Sequence, residues 1–227
     1  MMSARTVFVT GTDTEIGKTY VSVMLIRALV SRGFRVAGMK PVASGCVRTP
    51  EGLRSDDALQ LMAAANVDVP YQQVNPYAFE PAIAPHIAAA EAGVAISLDE
   101  IRRQHQRLCG QADWVVVEGV GGWQVPLGDE FTVADLAAAL GGHVVLVVGV
   151  RLGCINHALL SVESILQKGA SLCGWIANIP EKGGERIEEN IDTLTRLISQ
   201  PRAAIIPYQA GQSFDVTRDF DLDILGI

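Results

Sequence analysis

Gly11-Thr12-Asp13-Thr14-Glu15-Ile16-Gly17-Lys18-Thr19 is the stretch on which the reading of this chain turns. It follows an apolar, β-rich run at residues 6–10. It opens a segment in which Val21, Met24, Leu25, Ala28 and Leu29 recur at helical steps before Gly33. Strand, glycine-bearing turn and helix, in that order, are the context that a phosphate-binding loop requires. Consecutive backbone N–H groups and a helix start present positive potential to phosphate oxygens. Gly17 admits a close approach, Lys18 reaches β- and γ-phosphates, and the Thr19 hydroxyl suits Mg2+. Five residues separate the two glycines where four are usual, and Thr12 stands where the first glycine is expected. The loop is therefore a variant of the usual pattern.

Outward from the loop, strand and helix signals alternate. Apolar strand runs fall at 34–39, 114–117, 144–148, 172–177 and 203–206. Helical periodicity marks 155–166 and 187–198. The strands are apolar throughout rather than at every second residue, the mark of a parallel sheet covered on both faces. The expected fold is a single α/β domain over residues 1–227. It is a doubly wound, mostly parallel sheet of about six strands flanked by helices, of the P-loop NTPase type. Residues 41–110, with Pro50, Pro70, Pro76, Pro81 and Pro85, read as a long insertion between neighbouring strands. Helical pieces are expected near 57–65 and 97–108.

The composition narrows the function. Of 227 residues, 49% are hydrophobic and 19% charged, which excludes a disordered chain. A net charge of -7 gives no global positive field for nucleic acid or an anionic membrane, so neither is expected as a partner. Cys46, Cys109, Cys154 and Cys173 form no Cys-x-x-Cys pair. His86, His105, His143 and His157 have no zinc spacing. The apolar triplet 7–9 is too short for a signal-peptide core, and the run 144–150 is too short to span a membrane. A cytoplasmic protein with reduced thiols is expected.

Chemistry is sought at the C-terminal ends of the strands. Glu118 ends one strand, before Gly119, Gly121 and Gly122, and reads as a hard oxygen ligand for Mg2+ facing the phosphates. Asp56 and Asp57 read equally as a metal ligand or a helix N-cap. Lys40, at the end of the second strand, is a second cation beside a transferred phosphoryl group or an ordinary solvated lysine. Ser44-Gly45 is a substrate contact or a polar turn. Gly153, Cys154 and Asn156 precede a helix, where Asn156 caps it or the helix start holds an anion. Asn178, ending another strand, reads an adenine edge or caps a turn. No Asn-Lys-x-Asp motif appears, which favours ATP over GTP.

Five blocks together resemble one family. They are the loop at 11–19, Gly38-Met-Lys-Pro-Val-Ala-Ser-Gly45, Val117-Glu-Gly-Val-Gly-Gly-Trp123, Val148-Gly-Val-Arg-Leu-Gly-Cys-Ile-Asn-His157 and Gly174-Trp-Ile-Ala-Asn178. Their order from residue 6 to about 208 is that of the dethiobiotin synthetases. The resemblance implies ATP- and Mg2+-dependent closure of a ureido ring on 7,8-diaminopelargonate with CO2, through a carbamate and a carbamic–phosphoric anhydride. It implies that Glu15, Ile16, Gly17, Lys18, Thr19 and Tyr20 cradle ATP, with Gly119, Val120 and Gly121 beside the nucleotide. Asn178, Pro207 and Tyr208 would line the adenine pocket. It implies Lys18 and Lys40 as catalytic cations and Thr19, Asp57 and Glu118 as Mg2+ ligands. Thr14, Ser44, Gly121 and Gly122 would lie near the substrate amines. Gly153, Cys154, Ile155 and Asn156 would hold the substrate carboxylate from the partner subunit of a homodimer with composite sites.

Arg151 stands where that family commonly has lysine, Tyr208 where tryptophan can occur, and the tail after Gly211 matches poorly. Two alternatives share the expected fold. A related synthetase for another substrate, such as a cobyrinic-acid-type amide synthetase, would usually carry a glutaminase domain. A dimeric switch ATPase of the partitioning or septum-positioning type would carry a second lysine early in the loop, where Thr12 and Asp13 stand, and often an amphipathic tail. Asp219, Asp221 and Asp223 make this tail acidic.

Overall fold

The computed structural model describes residues 4–182, 184–208 and 215–227. Residues 211–214, where the tail leaves the family pattern, lie outside the described residues. In chain order the elements are β1 (Arg5–Gly11), α1 (Lys18–Ser31), β2 (Val36–Met39), β3 (Val42–Ala43), β4 (Val47–Thr49) and β5 (Gly52–Arg54). Then come α2 (Asp56–Ala64), α3 (Tyr71–Val74), β6 (Tyr77–Ala78), α4 (Pro85–Glu91), α5 (Leu98–Cys109), β7 (Trp114–Glu118) and α6 (Val133–Leu140). The remainder are β8 (His143–Gly149), α7 (Cys154–Gln167), β9 (Ser171–Asn178), α8 (Ile187–Leu197), β10 (Arg202–Ile206) and a 3-10 turn at Asp223–Leu225.

Six strands form one parallel sheet in the order β10-β9-β8-β1-β7-β2. Alternate residues of each strand enter opposite faces, and both faces are buried. Phe8, Val115, Val117, Leu146 and Val148 join one core. Val7, Val9, Val116, Val145 and Val147 join the other, against α1. This double burial is why the strands read as continuous apolar runs. β1 lies between β7 and β8, so the chain crosses over it on passing from one half of the sheet to the other. Ligands in such sheets bind at that reversal, beyond the strand ends, and the phosphate loop follows β1.

The insertion leaves β2 and returns to its neighbour β7. It holds the β4–β5 hairpin, the short β3–β6 pair and four helices. The sequence pattern shows α2 and α5 but not α3, α4 or the later α6. These are too short, or too uniformly alanine-rich, for a helical period to stand out. Three helix starts are capped by side chains: Ser55 on α2, Ser97 on α5, and Thr132 with Asp135 as a capping box on α6. The Asp56–Asp57 pair is thus not the cap. Ser55 takes that role and leaves both carboxylates in the first turn. α1 and α7 start differently, on Gly17 (φ 84°) and Gly153 (φ 93°), with no side-chain cap. The capping reading of Asn156 therefore fails, since it lies inside α7 and Gly153 occupies the cap position.

Candidate active site

The phosphate loop is shaped by close approaches that only glycine permits. A Cβ on Gly11 would lie 2.6 Å from Ile16 Cδ1 and 3.0 Å from Lys18 Cδ. A Cβ on Gly149 would lie 2.6 Å from Ile16 Cγ2. Ile16 is buried between the ends of β1 and β8 and pins the loop to the sheet. Glu15 (φ 58°) and Gly17 are both left-handed and turn the five-residue span into α1. The Thr12 N–H donates to the Val147 carbonyl at 3.0 Å. Asn178, at the end of β9, donates from Nδ2 to the Ile16 carbonyl at 2.7 Å. That amide N–H is spent on the loop backbone rather than on a turn of its own strand end. It braces the loop from the neighbouring strand, and a Cβ on Gly17 would collide with it.

Beneath the loop lies a buried charge cluster. Lys40 Nζ contacts Glu118 Oε1 at 2.6 Å and Asp57 Oδ2 at 2.7 Å, and donates to the Gly119 carbonyl at 3.3 Å. The Thr19 hydroxyl lies 2.8 Å from Asp57 Oδ1 and 2.9 Å from Glu118 Oε1. Lys40 and Glu118 are 4% and 1% exposed, which disposes of a solvated lysine and of a surface carboxylate. Lys18 is also buried, and its Nζ donates to the Asp13 carbonyl at 2.6 Å.

The cluster sets the charges. Burial, and then the neighbouring Lys40 charge, bring the Lys18 pKa down to about 8. Burial works against the Lys40 ammonium too, but Glu118 and Asp57 outweigh it and hold Lys40 above its ordinary value. Burial pushes the Glu118 carboxyl up, with Lys40 only partly offsetting it. Burial also opposes the Asp57 carboxylate, yet the Lys40 charge prevails and keeps its pKa low. Buried charges persist only when paired in this way.

Glu118 Oε2 is buried with no hydrogen-bond partner. Together with Asp57 and the Thr19 hydroxyl it makes a set of hard oxygen donors that fits Mg2+. Among the described residues no group of three His, Cys, Asp or Glu side chains gathers to hold a metal. Two carboxylates and a hydroxyl suit an ion that keeps waters and phosphate oxygens in its shell, rather than an all-protein cage.

These groups open into a cleft of about 810 Å3. It brings together Thr14, Glu15, Gly17, Lys18, Thr19, Lys40, Ser44, Asp57, Glu118, Val120 and Gly121. Its other wall is apolar: Ala43, Ala82, Ile83, Ala84, Pro85 and Val125. The sequence shows that wall only as an interruption bracketed by Pro81 and Pro85. Asp13 was also missed, since its role runs through its carbonyl and a 2.5 Å pair with Arg151. A larger cavity, about 1030 Å3, lies at the opposite end of the sheet around Arg5, His105 and His143, away from the charge cluster.

Several expected residues do not line the cleft. Ile16 lies behind the loop, Tyr20 sits in α1 against the second core, and Gly119 meets Lys40 through its carbonyl. Gly122 lines an adjoining groove with Thr14, Trp123, His157 and Leu160. Asn178 is behind the loop as described, and Pro207 and Tyr208 follow β10, both exposed. The start of α7 stands apart: Gly153 and Asn156 are exposed, Cys154 is buried, and Leu152 is 101% exposed.

A parallel sheet with a strand–loop–helix phosphate cradle and Lys, Thr, Asp and Glu beneath it defines a P-loop nucleotide-binding protein. A family model described as an AAA domain matches residues 5–213. The chain is 51% identical over 222 residues to the ATP-dependent dethiobiotin synthetase of Pseudomonas paraeruginosa, covering 97% of each chain. It is 52% identical over 202 residues to that of Xanthomonas oryzae pv. oryzae, covering 89% of this chain and 90% of that one. The chain belongs to the ATP-dependent dethiobiotin synthetase family. Among solved structures, the MinD cell division protein of Aquifex aeolicus aligns at TM-score 0.57 and 15% identity over 96% of this chain and 88% of that one. That likeness shows the shared fold alone. No helix among the described residues is long and apolar enough to cross a membrane.

Proposed function

We propose that this chain is an ATP-dependent ligase that closes the ureido ring of dethiobiotin from 7,8-diaminopelargonate and CO2 in biotin synthesis. One substrate amine adds to CO2 as a carbamate. A carbamate oxygen attacks the γ-phosphorus of ATP, the bond to the bridging oxygen breaks, and ADP leaves. The neighbouring amine attacks the carbonyl carbon of the mixed anhydride, closing the ring as phosphate departs. The single observation that carries this reading is the convergence of Lys18, Thr19, Lys40, Asp57 and Glu118 beneath one phosphate loop, opening beside Ser44 into a cleft. The family's identity over nearly the whole chain supports the substrate assignment.

The roles follow from charge and position. The α1 start and the loop N–H groups bind the phosphates, and Lys18 exchanges its Asp13 carbonyl for phosphate oxygen. Lys40 stabilises charge at the γ-phosphoryl group, held in its charged state by its two carboxylates. Thr19, Asp57 and Glu118 would hold Mg2+, which would supply charge neutralisation for phosphoryl transfer. Thr14, Ser44, Gly121 and Gly122 lie toward the substrate amines, and Pro207 and Tyr208 toward adenine. The uncapped α7 start, Gly153 to Asn156, binds the substrate carboxylate of the neighbouring subunit's site. The fully exposed Leu152 beside it supports a homodimer with composite sites. The enzyme works in the cytoplasm, where ATP is available.

The test is phosphate release from ATP with 7,8-diaminopelargonate and bicarbonate each added or omitted. Release that needs both, with dethiobiotin identified by mass spectrometry, is the expected result. Release indifferent to both would sink the synthetase assignment and leave an ATPase.

A further inference from the structure

The mechanism uses the side chains of Lys40 and Asp57, but their relative placement is set elsewhere. The Lys40 backbone is gripped from both sides by α3 and the residue after it. Its N–H donates to the Val74 carbonyl at 2.8 Å, and its carbonyl accepts from Asn75 Nδ2 at 2.7 Å. Asn75 is 3% exposed and fully engaged. Its amide also donates to the Tyr77 carbonyl at 3.1 Å, and its Oδ1 accepts from the Tyr71 hydroxyl at 2.8 Å. The same hydroxyl accepts the Ser55 N–H at 2.7 Å. Ser55 is the cap of α2, two residues before Asp57. The ion pair between Asp57 and Lys40 then closes a ring of contacts: Lys40, Asn75, Tyr71, Ser55, Asp57 and back to Lys40. Arg54, from the β4–β5 hairpin, lies over the Tyr71 ring with Cζ 4.3 Å from its centroid.

We propose that Tyr71 and Asn75 are positioning residues that hold the Lys40 backbone in register with the α2 start bearing Asp57. Neither reaches the cleft. Their hydrogen bonds join two segments, after β2 and before α2, that no strand pairing links to each other. Tyr71 bonds to both sides of this join, through Asn75 on one and Ser55 on the other. A phenylalanine there would keep the ring and the Arg54 stack. It would leave the Ser55 N–H and Asn75 Oδ1 without the hydroxyl, so the two functional groups could drift apart. Misplacement of a reacting group by about 1 Å costs up to about 100-fold in rate.

The assay rests on the synthetase reading, and steady-state kinetics of the full chain with Tyr71→Phe, Asn75→Ala and the double variant tests the proposal. Tyr71→Phe is expected to lower kcat about tenfold and to raise the Mg2+ concentration for half-maximal rate, with KM for the diamine within about twofold. The double variant should lose little more than the worse single one, because both break the same ring. A folded Tyr71→Phe with kcat within about twofold of the natural chain overturns the proposal. So does a loss that matches only the unfolded fraction in a thermal melt, or one in which the two variants add. Should Tyr71→Phe fail to fold, Asn75→Ala carries the same kinetic criterion. If the natural chain makes no dethiobiotin, the synthetase reading fails separately. The Mg2+ midpoint for binding a fluorescent ATP analogue then decides: a raised midpoint in Tyr71→Phe supports the ring and an unchanged one overturns it.

Discussion

The starts of α1 and α7 are built alike and surrounded differently. Both have glycine in the left-handed region at the cap and no side-chain cap. Around Gly17 the chain completes the site itself: Ile16 plugs the sheet, Asn178 braces the loop, and Lys18, Lys40 and Glu118 are buried beneath. Around Gly153 nothing closes in. A Cβ there meets no atom within 4 Å, and Leu152 projects into solvent. A helix start draws an anion by its N–H groups and dipole, and the two starts differ in what encloses that anion. The first start has its walls within this chain, and the second has none there, which is the ground for the proposal that another subunit supplies them.

The most damaging test of this contrast is Lys40→Ala. On the proposed role of Lys40 beside the transferred phosphoryl group, it is expected to lower turnover by about 1000-fold while the loop still binds phosphate. Single-turnover product formation at the normal rate would break the assignment.

Gly17→Ala against Gly153→Ala makes the comparison direct. Both residues are left-handed, so each alanine carries a backbone cost of about 1–2 kcal/mol. Only at Gly17 does the methyl also strike Asn178. ATP affinity, measured by calorimetry, should fall about 100-fold for Gly17→Ala, the sum of the backbone cost and a displaced buried amide. For Gly153→Ala it should stay unchanged. Equal losses would erase the distinction between the two helix starts.

Glu118→Gln keeps the shape of the cluster and removes a charge. The Mg2+ midpoint for nucleotide binding should rise about tenfold, the scale of one charged hydrogen-bond partner. An unmoved titration would take Glu118 out of the metal site. The smallest kinetic effect is expected for Leu152→Asp. Were Leu152 covered in a subunit contact, loss of its side chain would forfeit about 1.5–3 kcal/mol of association. Sedimentation should show weaker dimers, with KM for the diamine raised several-fold and KM for ATP unchanged. A dimer of unaltered strength would mean that Leu152 faces solvent in the assembly too.

Legibility followed chain distance. The six strands were readable because each is apolar on both faces, and Gly17-Lys18-Thr19 because its groups are contiguous. Glu118 stood out because a buried strand delivers it. Tyr71 and Asn75 gave no sign, since their meaning lies in hydrogen bonds to Ser55 and Lys40 across the insertion. Asn178 was noticed, but its contact with the phosphate loop was not. From sequence it is a polar residue ending a strand, and only the packing of β9 beside β8 brings its amide under Ile16. The short alanine-rich helices α4 and α6 lack the contrast between faces that makes a helix visible in sequence.

By itself the sequence determined the parallel sheet, the phosphate loop and the identity of the charged groups. Each depends on local pattern: apolar runs, a glycine before Lys-Thr, a carboxylate at a strand end. The tertiary structure alone decided that Lys40 is ion-paired rather than solvated, that Asp57 faces it from beneath a Ser55 cap, and that Asn178 serves the loop. Those outcomes depend on desolvation and on distances of a few ångströms between segments far apart in the chain. Such distances are set when the sheet closes and the insertion folds back over its edge, and local residue preference does not encode them.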